Sequence, residues 1–191
     1  MANLFSLFFS AMLINNIVLT KFLGMCPFMG VSTKLENAIG MGLAVIFVIF
    51  GASVLSWALY NFILAPLGLE YMELITFILL IAAFVQFVEL FLKKSAPALY
   101  KQLGIYLPLI TTNCTVLYVA QANISNGYNI IETMVNSIAT PAGFMLMLVI
   151  FATIREHLNT CDLPKPFKGN PIAFVVAGIM AVAFSALSGL V

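Results

Sequence analysis

The hydrophobic positions of this chain fall into six long runs with almost no alternation inside them. They cover about residues 3–22, 38–63, 71–92, 103–121, 130–154 and 171–190. Each is close to the roughly 20 residues an α-helix needs to cross a ~30 Å hydrocarbon layer, whereas barrel strands would alternate over about 10 residues. The pattern predicts an all-α integral membrane protein with six transmembrane helices, residues 1–191 forming one domain. Turn chemistry separates the runs: Pro66-Leu67-Gly68, Lys93-Lys94-Ser95-Ala96-Pro97, Asn123-Ile124-Ser125-Asn126-Gly127, and the series Pro164, Pro166, Gly169, Pro171. The first run has no basic stretch before it and no small-residue cleavage pattern after it, so a retained helix is expected rather than a signal peptide.

The charged positions orient these helices. Lys21 and Lys34 flank the first connection, Lys93, Lys94 and Lys101 fill the third, and Arg155, Lys165 and Lys168 fill the fifth. Basic residues in short loops mark the cytoplasmic side, so both termini are expected outside. Three helices per half then put the second half (about 96–191) into the membrane upside down relative to the first (about 1–95). That is an inverted 3+3 repeat, whose working site lies near the midplane. Gly42-Leu43-Ala44-Val45-Ile46-Phe47-Val48-Ile49-Phe50 echoes Gly143-Phe144-Met145-Leu146-Met147-Leu148-Val149-Ile150-Phe151, and Asn15 with Val18-Leu19 echoes Asn113 with Val116-Leu117.

The first helix of each half is expected to be broken. Asn15 and Asn16 fall mid-run, and Gly24 and Pro27 bracket Cys26; in the second half Pro108 and Thr111-Thr112-Asn113 play that part. Proline removes an amide donor and disfavours helix before it, and backbone groups freed in lipid need partners inside the protein. The Asn and Thr side chains are candidate partners, or plain helix–helix hydrogen-bonding groups.

Composition agrees. Of 191 residues 63% are hydrophobic and 8% charged, against roughly 25% charged in soluble domains, and mean hydropathy is +1.12. A net charge of +1 gives no basis for nucleic-acid binding. Three cysteines, an odd number, do not make a disulfide framework.

Two of those cysteines sit in the broken stretches. Cys114 follows Gln102 by twelve residues, which puts it about 18 Å into the bilayer on a regular helix. Cys26 would lie at the cytoplasmic edge of a straight first helix, so the two meet only if residues 22–31 turn back into the membrane. Several chemistries suit them. A free cysteine is a good buried hydrophobe, and a disulfide is geometrically open. Structural zinc wants four ligands, and the only histidine, His157, is expected in a cytoplasmic loop. Two thiolates supply half of the four ligands of an iron–sulfur cluster, so a cluster needs a second, similar subunit. Cys161, in the hydrophilic fifth connection, is expected to be an exposed thiol without a role. Glu89 is expected to pair with Lys93 one turn on, with a place on a cation path as the alternative. Glu132 suits the N-terminal dipole of the fifth helix.

The stretch Asn15-Asn16-x-Val18-Leu19-x-Lys21-Phe22-Leu23-Gly24-Met25-Cys26-Pro27-Phe28-Met29-Gly30-Val31-Ser32 closely resembles the first cysteine motif of the RnfA/NqrE family of membrane electron-transport subunits. Gly104-Ile105-x-Leu107-Pro108-Leu109-Ile110-Thr111-x-Asn113-Cys114 resembles the second. Ile154-Arg155-Glu156 and Pro164-x-Pro166-Phe167-x-Gly169-Asn170 are similar to the family's last loop. Asn15-Asn16, Cys26 to Gly30 and the short link between the second and third helices look like the Rnf branch, an ion-translocating ferredoxin:NAD oxidoreductase. The Nqr branch, a sodium-pumping NADH:quinone oxidoreductase, is the alternative.

The resemblance implies a subunit that relays electrons across the bacterial inner membrane and is not catalytic alone. It implies one [2Fe–2S] cluster held by Cys26 and Cys114 with two cysteines of a homologous, oppositely oriented subunit, RnfE. It further implies RnfB, RnfC, RnfD and RnfG as partners, electrons passing from ferredoxin through RnfB to outer flavins and back to NAD, and coupled Na+ or H+ movement. Around such a cluster, Thr111, Thr112, Asn113 and the Gly24–Met25 amides are expected to donate hydrogen bonds, with Asn15 and Asn16 nearby. A secondary transporter and a purely structural subunit are the competing classes; iron content separates the first from a redox role, and cysteine substitution the second.

Overall fold

The computed structural model describes residues 2–32, 35–68, 70–95, 109–110, 113–158, 160 and 169–188, and among them every regular element is helical. α1 (Ala2–Phe9) runs into a wider π-turn, Ser10–Ile14. α2 (Ile17–Lys21) and α3 (Met25–Val31) are short. α4 (Leu35–Leu59) continues through a second π-turn, Tyr60–Leu64, into α5 (Ala65–Leu67). After a 3₁₀ turn come α6 (Glu73–Ser95), α7 (Cys114–Ser125), α8 (Ile130–Leu158) and α9 (Asn170–Ser188).

Three described segments are long and apolar enough to cross a membrane: Leu35–Leu64, Glu73–Phe91 and Ile130–Leu158. Shorter apolar helices occupy Leu4–Leu13 and Asn170–Ala186. The outward surface is itself apolar. On α6, Leu74, Ile75, Ile78, Leu79, Phe87, Leu90 and Phe91 are all exposed, as lipid contact requires and water would not tolerate.

The core forms where α4 packs on α8. Met41, Val45 and Ile49 of α4 and Phe144, Met147, Leu148 and Phe151 of α8 are fully buried or nearly so. In lipid, helices associate through close packing and interhelical hydrogen bonds. Gly42 accordingly leaves room for the Met145 side chain, and a Cβ on Gly51 would lie 2.5 Å from Cζ of Phe84 on α6. Hydrogen bonds then join α7 to α8. Asn136 Nδ2 donates to Asn123 Oδ1 at 2.7 Å, and Asn123 Nδ2 to Ser137 Oγ at 3.3 Å. Trp57 Nε1 donates to the Tyr128 carbonyl at 3.2 Å and ties α4 to the turn before α8.

The start of α8 fits its expected role for Glu132, whose carboxylate accepts the Asn129 amide at 3.1 Å. Its end does not fit the expected loop: α8 runs to Leu158, so Arg155 and His157 stand in its last turn. A helix interior with Pro141 buried in it survives because α8 is enclosed by neighbours that can hold its freed backbone. Glu89 and Lys93 lie one turn apart near the C-terminal end of α6.

Candidate metal centre

The first helix breaks twice. The π-turn ends at Asn15, and Asn16 opens α2 with extended dihedrals (φ −65°, ψ 116°) while its side chain accepts the Val18 amide. Asn16 Nδ2 reaches across to donate to the Gly143 carbonyl at 3.0 Å. Gly143 has no room for a Cβ, because the Met12 carbonyl lies against it. A second asparagine cap appears at α7. Asn113 has nearly the same dihedrals (φ −72°, ψ 113°), and its Oδ1 accepts the Thr115 amide at 3.1 Å. Asn113 thus shares its cap geometry with Asn16, whereas the sequence echo aligns it with Asn15. Asn15 is exposed, and its side chain makes a long bond, 3.4 Å, to Ser10 Oγ. Only the residue that stops one helix and starts the next can cap.

The second break turns the chain. Phe22 (φ 55°) and Gly24 (φ 78°) both adopt left-handed backbone, and Leu23 N closes onto the Ile17 carbonyl. Pro27 does not break a helix here. It is the third residue of α3, within the first turn, where no intrahelical amide bond is required of it.

After this turn α3 runs alongside α8 from its middle towards its C-terminal end. Gly24 lies against Phe144. Phe28, wholly buried, stacks on Phe151 with ring centroids 4.4 Å apart. The Met29 carbonyl accepts from Arg155 at 2.7 Å. Phe144 is the fifteenth of the 29 residues of α8, so Gly24 is level with its centre, about 20 Å from either end. Residues 24–29 thus lie along the second half of α8, with Gly24 beside its central residue.

Gly24 also joins the halves. A Cβ there would lie 2.5 Å from Thr115 Oγ1 and 3.3 Å from Asn113 Oδ1. Gly24 caps α3, whose second residue is Cys26, and Asn113 caps α7, whose first residue is Cys114. The two cysteines thus sit in the first turns of helices whose caps touch. Both thiols are free and exposed. No group of three or more His, Cys, Asp or Glu side chains converges among the described residues. Asn113 Nδ2 and Thr115 Oγ1 are buried beside Cys114 without a hydrogen-bond partner, and Met25 packs half-buried against the core. Thr111, Thr112 and Cys161 lie outside the described residues.

An open cavity of about 590 Å³ lies between the first helices and α7 and α8, bordered by Ser10, Asn15, Lys21, Tyr118, Asn136 and Thr140 among others. Lys21, exposed at the end of α2, borders that cavity.

A family model for the "Rnf-Nqr subunit, membrane protein" matches residues 4–191. This chain belongs to the Rnf-Nqr family. Its Rnf-Nqr relatives include proteins of Yersinia enterocolitica (55% identical) and Serratia proteamaculans (54% identical). Both alignments cover 97% of this chain and 96% of the relative. Each relative is named as the A component of an ion-translocating oxidoreductase complex, in keeping with the Rnf-type resemblance of the cysteine motifs. Membership fixes the coarse assignment: an electron-transport membrane protein of an ion-translocating oxidoreductase complex, working with other subunits.

Proposed function

We propose that this chain carries electrons across the bacterial inner membrane through a [2Fe–2S] cluster shared with a homologous subunit, in a ferredoxin:NAD oxidoreductase that moves Na+ or H+. The observation that supports it most is the contact of Gly24 with Asn113 and Thr115, which draws together two cysteine-bearing helix starts from opposite halves of the chain. The donor set fits half a cluster: two thiols, with no third ligand nearby among the described residues. Exposure of both leaves them open to a companion chain that supplies the other two ligands. The paired asparagine caps support an inverted repeat, and the basic residues of the odd-numbered connections favour both termini outside.

Cys26 and Cys114 would bind the iron. Asn113 Nδ2 and Thr115 Oγ1 would turn their unused donors towards the ligand sulfurs, which favours added negative charge. The α7 N-terminus carries partial positive charge in the same place. Phe144 packs against Gly24, behind the cap of α3. When bound, the cluster supplies one-electron storage near the midplane, so that no single transfer must cross ~30 Å of hydrocarbon. The cavity lined by Ser10, Asn15, Lys21, Asn136 and Thr140 would admit water or a cation.

Iron content and EPR of the purified complex test this reading. Wild type should hold two iron atoms per shared site, and Cys26→Ala and Cys114→Ala should each abolish the signal while the complex still assembles. A cluster that persists in both variants overturns it.

A further inference from the structure

A helix of seven residues cannot hold itself in place. Isolated helices this short are unstable, and the last four carbonyls of any helix have no partner within it. α3 is such a helix, and it carries Cys26. Its first turn rests on Asn113 and Thr115 through Gly24, and its middle on Phe151 through Phe28. At its C-terminal end Val31 is fully buried, Ser32 Oγ makes a long bond of 3.4 Å to the Met29 carbonyl, and the shorter bonds come from Arg155. Arg155 Nη1 donates to the Met29 carbonyl at 2.7 Å and to Ser32 Oγ at 2.9 Å. Arg155 Nη2 donates to Asn170 Oδ1, at the start of α9, at 3.2 Å. The cation meets the negative end of α3, where its charge is most favourable.

We propose that Arg155 is a positioning residue for Cys26. It fixes the tilt and rotation of α3, and hence where the Cys26 sulfur points, without touching the cluster. The guanidinium suits this task because its planar fork serves α3 and α9 at once from a rigid position on α8. Without it α3 keeps its apolar packing, through Gly24, Phe28 and the buried Pro27 and Val31, but loses the charged bond at its C-terminal end, which is directional where apolar packing is not. The inference rests on the cluster reading for its functional meaning, but the docking of α3 can be measured by itself.

The test uses the assembled complex. Arg155→Ala, Arg155→Lys and the double variant Ser32→Ala/Asn170→Ala are compared with wild type. After removal of iron by a chelator under reducing conditions, Cys26 and Cys114 are labelled with a small maleimide and their rates read by mass spectrometry. Loss of a charge-assisted hydrogen bond should favour local opening about tenfold. Cys26 labelling is therefore expected to rise about tenfold in Arg155→Ala with Cys114 unchanged, and to return part-way in Arg155→Lys. The double variant, which keeps the charge and the Met29 contact, should show a smaller rise. In the iron-loaded complex, Arg155→Ala should change the EPR g-values and the midpoint potential. Unchanged Cys26 labelling and unchanged EPR in Arg155→Ala overturn the proposal while leaving the shared cluster standing. If Arg155→Ala does not assemble, an unchanged Cys26 rate in the double variant overturns it. A raised Cys26 rate in a complex that holds no iron keeps the docking role and removes the cluster.

Discussion

Replacing Gly24 by alanine strikes the one place where the two halves meet at the cysteines. Two costs add. An L-residue held at φ 78° loses about 1–2 kcal/mol to the left-handed backbone. The new methyl would also stand 2.5 Å from Thr115 Oγ1 and 3.1 Å from Phe144 Cε2. Thr115 is fully buried and Phe144 nearly so, so neither side chain has free space, and overpacking of this kind costs about 1–3 kcal/mol. Together Gly24→Ala should cost about 2–5 kcal/mol. Gly68 separates the two terms. It has a similar φ of 67°, and nothing lies within 4 Å of the position its Cβ would take. Gly68→Ala should therefore cost only the backbone part, about 1–2 kcal/mol. Thermal unfolding of the detergent-solubilised complex reads the stabilities, and iron content reads the site. Gly24→Ala should unfold at the lower temperature and lose iron, while Gly68→Ala keeps its iron. Equal destabilisation of the two variants, with iron retained in both, would refute the claimed contact between Gly24 and the α7 cap.

Asn16→Ala should destabilise more than Asn113→Ala. Each removes a helix cap worth about 0.5–2 kcal/mol, but Asn16 also gives up its bond to the Gly143 carbonyl, a further ~1 kcal/mol. Denaturation midpoints of the two variants check the order. A membrane-impermeant thiol reagent added to intact cells should label Asn126→Cys, in the exposed turn between α7 and α8, from the outer side. Labelling only in inverted vesicles would reverse the proposed orientation.

The helical membrane class was legible because six apolar runs of spanning length leave no other reading. The broken first helix was legible too, in Asn15-Asn16 and in Gly24 near Pro27. Which residue does what was not. Proline breaks a helix or begins one according to its position, and Pro27 begins α3 because Gly24 has already turned the chain. Asn15 and Asn16 are chemically identical, and only the end of the π-turn decides that Asn16 caps. Thr115 escaped notice because its contact with Gly24 joins residues 91 apart in the chain. The motif around Arg155 could have drawn attention to it, yet its bond to Met29 requires the re-entrant path of α3 to be known first.

Gly143 lets the Met12 carbonyl press directly on α8, and its own carbonyl accepts from the Asn16 side-chain amide. Pulling these apart would strand polar groups in oil, so α1, α2 and the middle of α8 should behave as one stiff block. Any movement between parts of the protein would then have to be taken up outside that block.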